Sequence, residues 1–306
     1  MVVWTGMLKI IAGLALGFFF RKIKVLDDRS TSAMSSLTLN AACPCLIFSS
    51  IVSMDSSCKG DVGLLMIIGV AIYVFLAAAG LITSRLLAGS SKSLFYMYLA
   101  LILFGQVGFM GFPLAEAFYG VLGVSYMGIL NIHFTVLMFT LGIYLISKSA
   151  GRSASFDPKK MINSSTVGIV ISVSLFMFDV RVPELILAPI NFIGQLMSPL
   201  AMIIVGSTLA AYPLKKMFSN PKYYVVAVLR LAVLPAIAFL VLHRLYGTSA
   251  LTVVSTISIG VPPAATITMM AVTYGGDSET ASLCSSLTTI LSIITIPLLW
   301  LFMNSL

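Results

Sequence analysis

Ten apolar runs, each close to twenty residues long and separated by short polar gaps, leave this chain few environments in which to fold. The runs cover about residues 2–20, 35–53, 62–84, 93–118, 124–147, 161–178, 185–211, 223–243, 250–274 and 280–303. Each is near the ~20 residues that a helix needs to cross a bilayer core. Of 306 residues, 59% are hydrophobic and 9% charged, against roughly 25% charged in a soluble domain. The expected fold class is therefore an all-α polytopic membrane protein of ten transmembrane helices. No stretch is long enough for a separate soluble domain.

The net charge of +8 invites a nucleic-acid reading, but the placement of the charges argues against one. Loops after odd-numbered spans carry Arg21, Lys22, Lys24, Arg29, Arg85, Lys92, Lys148, Arg152, Lys159, Lys160, Lys215, Lys216 and Lys222. Loops after even-numbered spans carry only Lys59, Arg181 and Arg244. This is a positive-inside pattern, which places the odd loops in the cytoplasm and both termini outside. Some attraction to anionic headgroups follows from the same charges. The first span does not read as a signal peptide, because its basic cluster follows the apolar run and no A-x-A site appears. Of the four cysteines, Cys43, Cys45, Cys58 and Cys284, only Cys58 falls in an expected external loop, so no disulfide framework is implied. Cys43-Pro44-Cys45 lacks a His or Cys cluster beside it and reads as packing. No metal or cofactor is expected.

Two spans hide a Gly-x-Pro in their middle, half a chain apart: Gly111-Phe112-Pro113 and Gly260-Val261-Pro262-Pro263. Proline removes a backbone donor and clashes with the preceding turn. Broken backbone within lipid is tolerated only where protein or a water-filled cavity shields it. An odd number of spans, five, separates the two breaks, so the halves enter the membrane from opposite sides: a 5+5 inverted repeat with its site at the midplane. A second pair, Pro44 and Pro199, falls at similar positions in spans 2 and 7, each with an amide one helical turn earlier, Asn40 and Gln195. The expected division is 1–148 for the first five-helix repeat, 149–160 for a Ser-rich basic cytoplasmic linker, and 161–306 for the second repeat.

A half-helix that begins in the membrane presents free N–H groups and partial positive charge, suited to an anion. Crossed spans 4 and 9 would bring two such ends together without a full positive side-chain charge. Gln106 lies two turns before Pro113 on the same face, and Ser255 stands in the same relation to Pro262. Thr266 and Thr268 follow the second break, and Asn131 and His133 lie mid-span. The hydroxyls read as interhelical hydrogen bonds; Gln106 and Asn131 read as functional, because amides are costly to leave unpaired in lipid. For His133, a proton relay and a packed neutral ring both stay open. Glu116 is a candidate for proton coupling or a rim residue in water. Arg230 is expected at the protein interior or cytoplasmic boundary, and Lys9 is expected to snorkel outward. No GxxxxGK[ST], HExxH or G-x-S-x-G occurs, and Tyr274-Gly275-Gly276-Asp277 has no second mid-span Asp. An enzyme therefore lacks residues for acid–base work.

Four stretches, LTLNAACPCLIFSS, GQVGFMGFPLAEAFYG, LMSPLAMIIVGSTLA and IGVPPAATITMMAVTYGGD, resemble in order and spacing the second, fourth, seventh and ninth helices of the auxin efflux carrier family. That family includes plant PIN and PIN-like carriers and bacterial carboxylate carriers, and this chain resembles its short, bacterial-type members. The resemblance implies a homodimerising scaffold of helices 1, 2, 6 and 7 and a mobile transport unit of helices 3–5 and 8–10. Helices 4 and 9 would cross at Pro113 and Pro262. It also implies elevator-type alternating access and small organic anions, such as indole-acetate or malonate, as substrates. Gln106 stands where many members have Asn, and His133 lies near a position where plant carriers have an amide. The long cytoplasmic loop of long plant carriers is missing. These departures put auxin in doubt and leave the general anion reading. A related sodium–bile-acid fold also crosses two helices, but no acidic residue near the crossing argues for a sodium site here.

The expected function is transport of a small organic carboxylate, with Gln106, Gly111, Pro113, Asn131, His133, Gly260, Pro262, Pro263 and Thr266 at the site. For export, an inside-negative potential contributes about 2.3 kcal/mol per charge per 100 mV. The alternatives are a proton- or sodium-coupled importer of the same fold and a metabolite-sensing receptor without net transport.

Overall fold

The computed structural model describes residues 2–152, 163–211 and 214–305. Most of the expected linker lies outside the described residues. All regular structure among them is helical, and six helices are long and apolar enough to cross a membrane. In chain order the helices of ten or more residues are α1 (Val2–Lys22), α2 (Asp28–Val52), α3 (Ser56–Ala88), α4 (Lys92–Leu103), α5 (Val107–Ser149), α6 (Ser164–Met177), α7 (Glu184–Ala211), α8 (Pro221–Tyr246), α9 (Ala250–Gly260), α10 (Ala265–Tyr274) and α11 (Ser278–Ser305). Gly120, at φ 54° and ψ −135°, interrupts α5 between the fourth and fifth expected spans.

Polar side chains in the short gaps set where helices begin. Asp27 and Ser30 form a reciprocal cap on α2, with the Ser30 N–H donating to Asp27 Oδ1 at 2.7 Å and the Asp27 N–H to Ser30 Oγ at 2.8 Å. Ser91, Asn163, Asn220 and Ser249 cap α4, α6, α8 and α9 through their side chains. Gly275, left-handed at φ 80°, ends α10.

Prolines shape the helices in two ways. Wide π-type turns span Thr38–Ala42, Val107–Gly111 and Leu229–Val233. Each ends just before the residue that precedes a proline: Pro44, Pro113 and Pro235. In every case the carbonyl that the proline cannot bond, that of Asn40, Phe109 or Leu231, sits at the centre of the widened turn. The bulge relieves the clash with the ring, and the helix continues. A fourth π turn, Met138–Gly142, has no such proline. Pro44 and Pro113 were expected as breaks, and the structure corrects both: neither interrupts its helix. Pro199 lies near the start of Met197–Ala211, after a kink at Gln195–Leu196 that parts it from Glu184–Gly194.

The chain divides into two compact units. Unit 1 comprises residues 1–67, 107–132 and 162–211. Its main packing is α1 on the second half of α7, where backbones approach closely enough that a side chain would not fit. A Cβ at Gly17 would meet the Ile203 carbonyl, with the carbonyl carbon at 2.7 Å; one at Gly206 would meet that of Leu14, at 2.9 Å. Gly13 and Gly17 make a G-x-x-x-G, the small-residue spacing that lets helices associate in lipid by backbone contact. Thr31 and Ser207 share a hydroxyl hydrogen bond of 2.9 Å beside it.

Unit 2 comprises residues 68–106, 133–161 and 212–306. Its core includes a wholly buried run from Met97 to Phe104. The Phe104 ring stands between Tyr73, at 6.3 Å, and Phe134, edge-on at 6.2 Å. Such tilted and edge-on pairs are the favoured aromatic geometry.

Candidate functional site

Within unit 2, two extended segments pair where helices stop. The first is Phe104-Gly105-Gln106, after α4; the second is Val261-Pro262-Pro263-Ala264, between α9 and α10. The Gln106 N–H donates to the Pro262 carbonyl at 2.7 Å, and the Ala264 N–H to the Phe104 carbonyl at 2.9 Å. Gly105 and Pro263 thereby form an isolated antiparallel bridge.

The second break follows from local chemistry. A residue before proline is pushed into the extended region, and Val261 sits at φ −87°, ψ 150°. The first break has no proline. Phe104 ends α4 at φ −106°, ψ 107°, and the pairing with the α9–α10 segment supplies the backbone partners that a helix would have supplied. Gly105 is required by close approach. A Cβ there would meet Arg230 Nη2, and Val261 Cγ2 at 2.8 Å. The span 4 break thus lies at Gly105, two helical turns ahead of the Gly111-Phe112-Pro113 where it was expected.

Arg230 is the residue whose role the sequence did not reveal. It is completely buried. Its Nε donates to the Val261 carbonyl at 2.9 Å and its Nη1 to the Ile102 carbonyl. Its Nη2 has no hydrogen-bond partner among the described residues. Ile102 lies in the last turn of α4 and Val261 just past α9, so one guanidinium caps two helix C-termini.

α10 starts at the same crossing. Its first residues follow Ala264, which offers no side-chain cap; the Ile267 N–H donates to the Ala264 carbonyl at 3.0 Å, and the N–H groups of Ala265 and Thr266 are left to another acceptor. Gln106 is buried and lies in the first break itself; Gly260, Pro262 and Pro263 are buried; Thr266 is half-buried in the first turn of α10. His133 is buried in unit 2 against Gly69, whose missing side chain makes room for the ring. Ser255 is fully buried on α9.

The remaining candidates belong to unit 1. Asn131, Gly111 and Pro113 are buried there. Glu116 accepts a hydrogen bond from Ser198 Oγ, next to Pro199. Asn40 is exposed and donates to the Ser36 carbonyl at 3.0 Å, while Gln195 is exposed at the end of Glu184–Gly194. The two amides do not share one structural setting. Lys9 is exposed. No group of three or more metal-ligating side chains occurs among the described residues.

Six helices long and apolar enough to cross a membrane, with buried polar groups where apolar helices break, fit a membrane transport protein. The chain belongs to the membrane transport protein family, the auxin efflux carrier family, whose profile matches residues 2–158 and 154–300. An uncharacterized transporter of Methanothermobacter thermautotrophicus is 24% identical over 294 residues, covering 95% of each chain. The protein is a multi-pass membrane transporter of that family.

Proposed function

We propose that the protein carries a small organic carboxylate across the membrane, and that the crossing in unit 2 holds the anionic group. The observation that carries this reading is the uncapped α10 N-terminus at a break lined by Gln106, Pro262 and Pro263. Oriented N–H groups at a helix start favour negative charge. The buried Gln106 amide and the Thr266 hydroxyl add neutral donors, so the ligand is oriented without being held too tightly to leave. Within unit 2, a ligand contact from His133 remains part of the reading, while Asn131, Gly111 and Pro113 belong to unit 1.

The architecture proposed around this site is ten spans in a 5+5 inverted repeat, dimeric, with both termini outside and the linker cytoplasmic. Spans 1, 2, 6 and 7 act as scaffold while the remainder moves as an elevator. In support, residues of spans 1, 2, 6 and 7 fall in unit 1, and those of spans 8–10 in unit 2. Residues 107–132, from spans 4 and 5, also fall in unit 1, so the boundary of the moving part is drawn inside those helices. Export down the membrane potential needs no coupling ion.

A proton-coupled importer of the same fold is the second reading. It is favoured by Glu116, a carboxylate within the apolar α5 that is hydrogen-bonded to Ser198. A thermal-melting screen of purified protein against monocarboxylates, dicarboxylates and their uncharged amides tests the first reading. Acids that raise the melting temperature while their amides do not support it; equal response to acid and amide contradicts it. Alkalinisation outside proteoliposomes during uptake of such an acid would favour the second.

A further inference from the structure

Arg230 poses an electrostatic question that an anion site does not answer. A guanidinium wholly removed from water is costly unless its charge is met. No carboxylate lies within ion-pair distance of it among the described residues. What meets it instead is backbone: the Val261 carbonyl at 2.9 Å and the Ile102 carbonyl. These are the C-terminal ends of α9 and α4, helices of 11 and 12 residues. A helix C-terminus is equivalent to about half a negative charge. Two such ends together offer about one negative charge, and one guanidinium balances it. In transporters with broken helices, unwound carbonyls and half-helix C-termini are where free monovalent cations bind.

We infer that Arg230 is a tethered cation filling a cation position at the crossing, so that the paired breaks are charge-complete with no free alkali ion. Three features fit this assignment. Gly105 lacks a Cβ at the place where Nη2 lies, so the chain is cut away to admit the guanidinium. Arg230 leaves α8 from the π turn Leu229–Val233, ahead of Pro235, at a point where that helix is locally widened. The guanidinium bonds both breaks at once, joining α8 to the crossing, and so acts as a positioning residue for Gln106 and the α10 N-terminus. The inference uses unit 2 alone and no substrate, so it stands or falls separately from the carboxylate reading.

The test is thermal melting of the purified full chain in detergent, with salts exchanged at constant ionic strength. Wild type should melt at the same temperature in sodium, potassium and tetramethylammonium chloride. Arg230→Ala should melt lower by on the order of 5 °C or more. Low-millimolar guanidinium chloride should recover part of that loss, where tetramethylammonium chloride does not. A sodium- or potassium-specific rise in the wild type would overturn the inference, as would guanidinium acting no better than tetramethylammonium on the variant. If Arg230→Ala does not fold, Arg230→Lys and Arg230→Met decide the matter. Lys melting above Met supports a charge requirement; Met melting at or above Lys removes it.

Discussion

The backbone of Gln106 bonds the carbonyl of Pro262 at 2.7 Å, joining the two halves of the sequence at the residues where each has a helix interrupted. One break is imposed by consecutive prolines, and the other is held open by its partner.

Gly105→Ala introduces a methyl group into the space of Arg230 Nη2 and Val261 Cγ2. Overpacking of this kind costs about 1–3 kcal/mol. The variant is expected to melt several degrees lower than wild type and to lose the response to carboxylates first, which melting with and without ligand measures.

Pro262→Ala relaxes the restriction on Val261 and lets α9 extend into the crossing. Uptake should fall by about tenfold or more, the equivalent of 1.4 kcal/mol. Pro113→Ala acts only on a widened helical turn, so its effect on uptake should be clearly smaller. Equal losses from the two substitutions would show that the span 4 break depends on Pro113 after all.

Gly206→Val and Gly17→Val each force a branched side chain into helix backbone on the α1–α7 contact. Both should lower the yield of folded protein or its melting temperature by more than Gly105→Ala, because backbone cannot move aside as a side chain can. Fluorescence-detected size-exclusion chromatography at rising temperature reads this directly.

Asp179 lies in the loop after α6, where the Lys59 ammonium, and then the Ser56 hydroxyl, hold its carboxyl below the ordinary value of 3.8. A depressed carboxylate stabilises the fold above its ordinary pKa, and that contribution is lost as pH falls through the folded-state value. Asp179 is exposed, so the effect is small. Asp179→Asn isolates the charge, because Asn tolerates the left-handed backbone of this position (φ 54°). The variant should melt slightly lower than wild type at pH 7, and the difference should shrink as pH falls below 3.8.

Val261-Pro262-Pro263 could be read as a break because proline acts on its own neighbours. Phe104-Gly105-Gln106 could not, since its conformation comes from a segment more than a hundred and fifty residues away. The same limit hid Arg230: its sequence position showed a charge inside a span, but not which carbonyls it would reach. Gly111-Phe112-Pro113 misled because proline near the start of a helix, after a widened turn, is compatible with helix. Gln106, Asn131 and His133, singled out because polar side chains are costly in lipid, are all buried. Asn40 and Gln195 looked equivalent by spacing, yet packing gives them different surroundings.

The central claim, that paired breaks build a pathway for negative charge, is tested most directly by uptake in proteoliposomes under an imposed potassium-diffusion potential. The probe is a carboxylate found to raise the melting temperature, supplied to wild type and to Pro262→Ala. The account predicts wild-type flux that is driven by an inside-positive potential, slowed by an inside-negative one, and nearly abolished by the substitution. Flux indifferent to the potential and to Pro262→Ala, or binding with no flux at all, would contradict it.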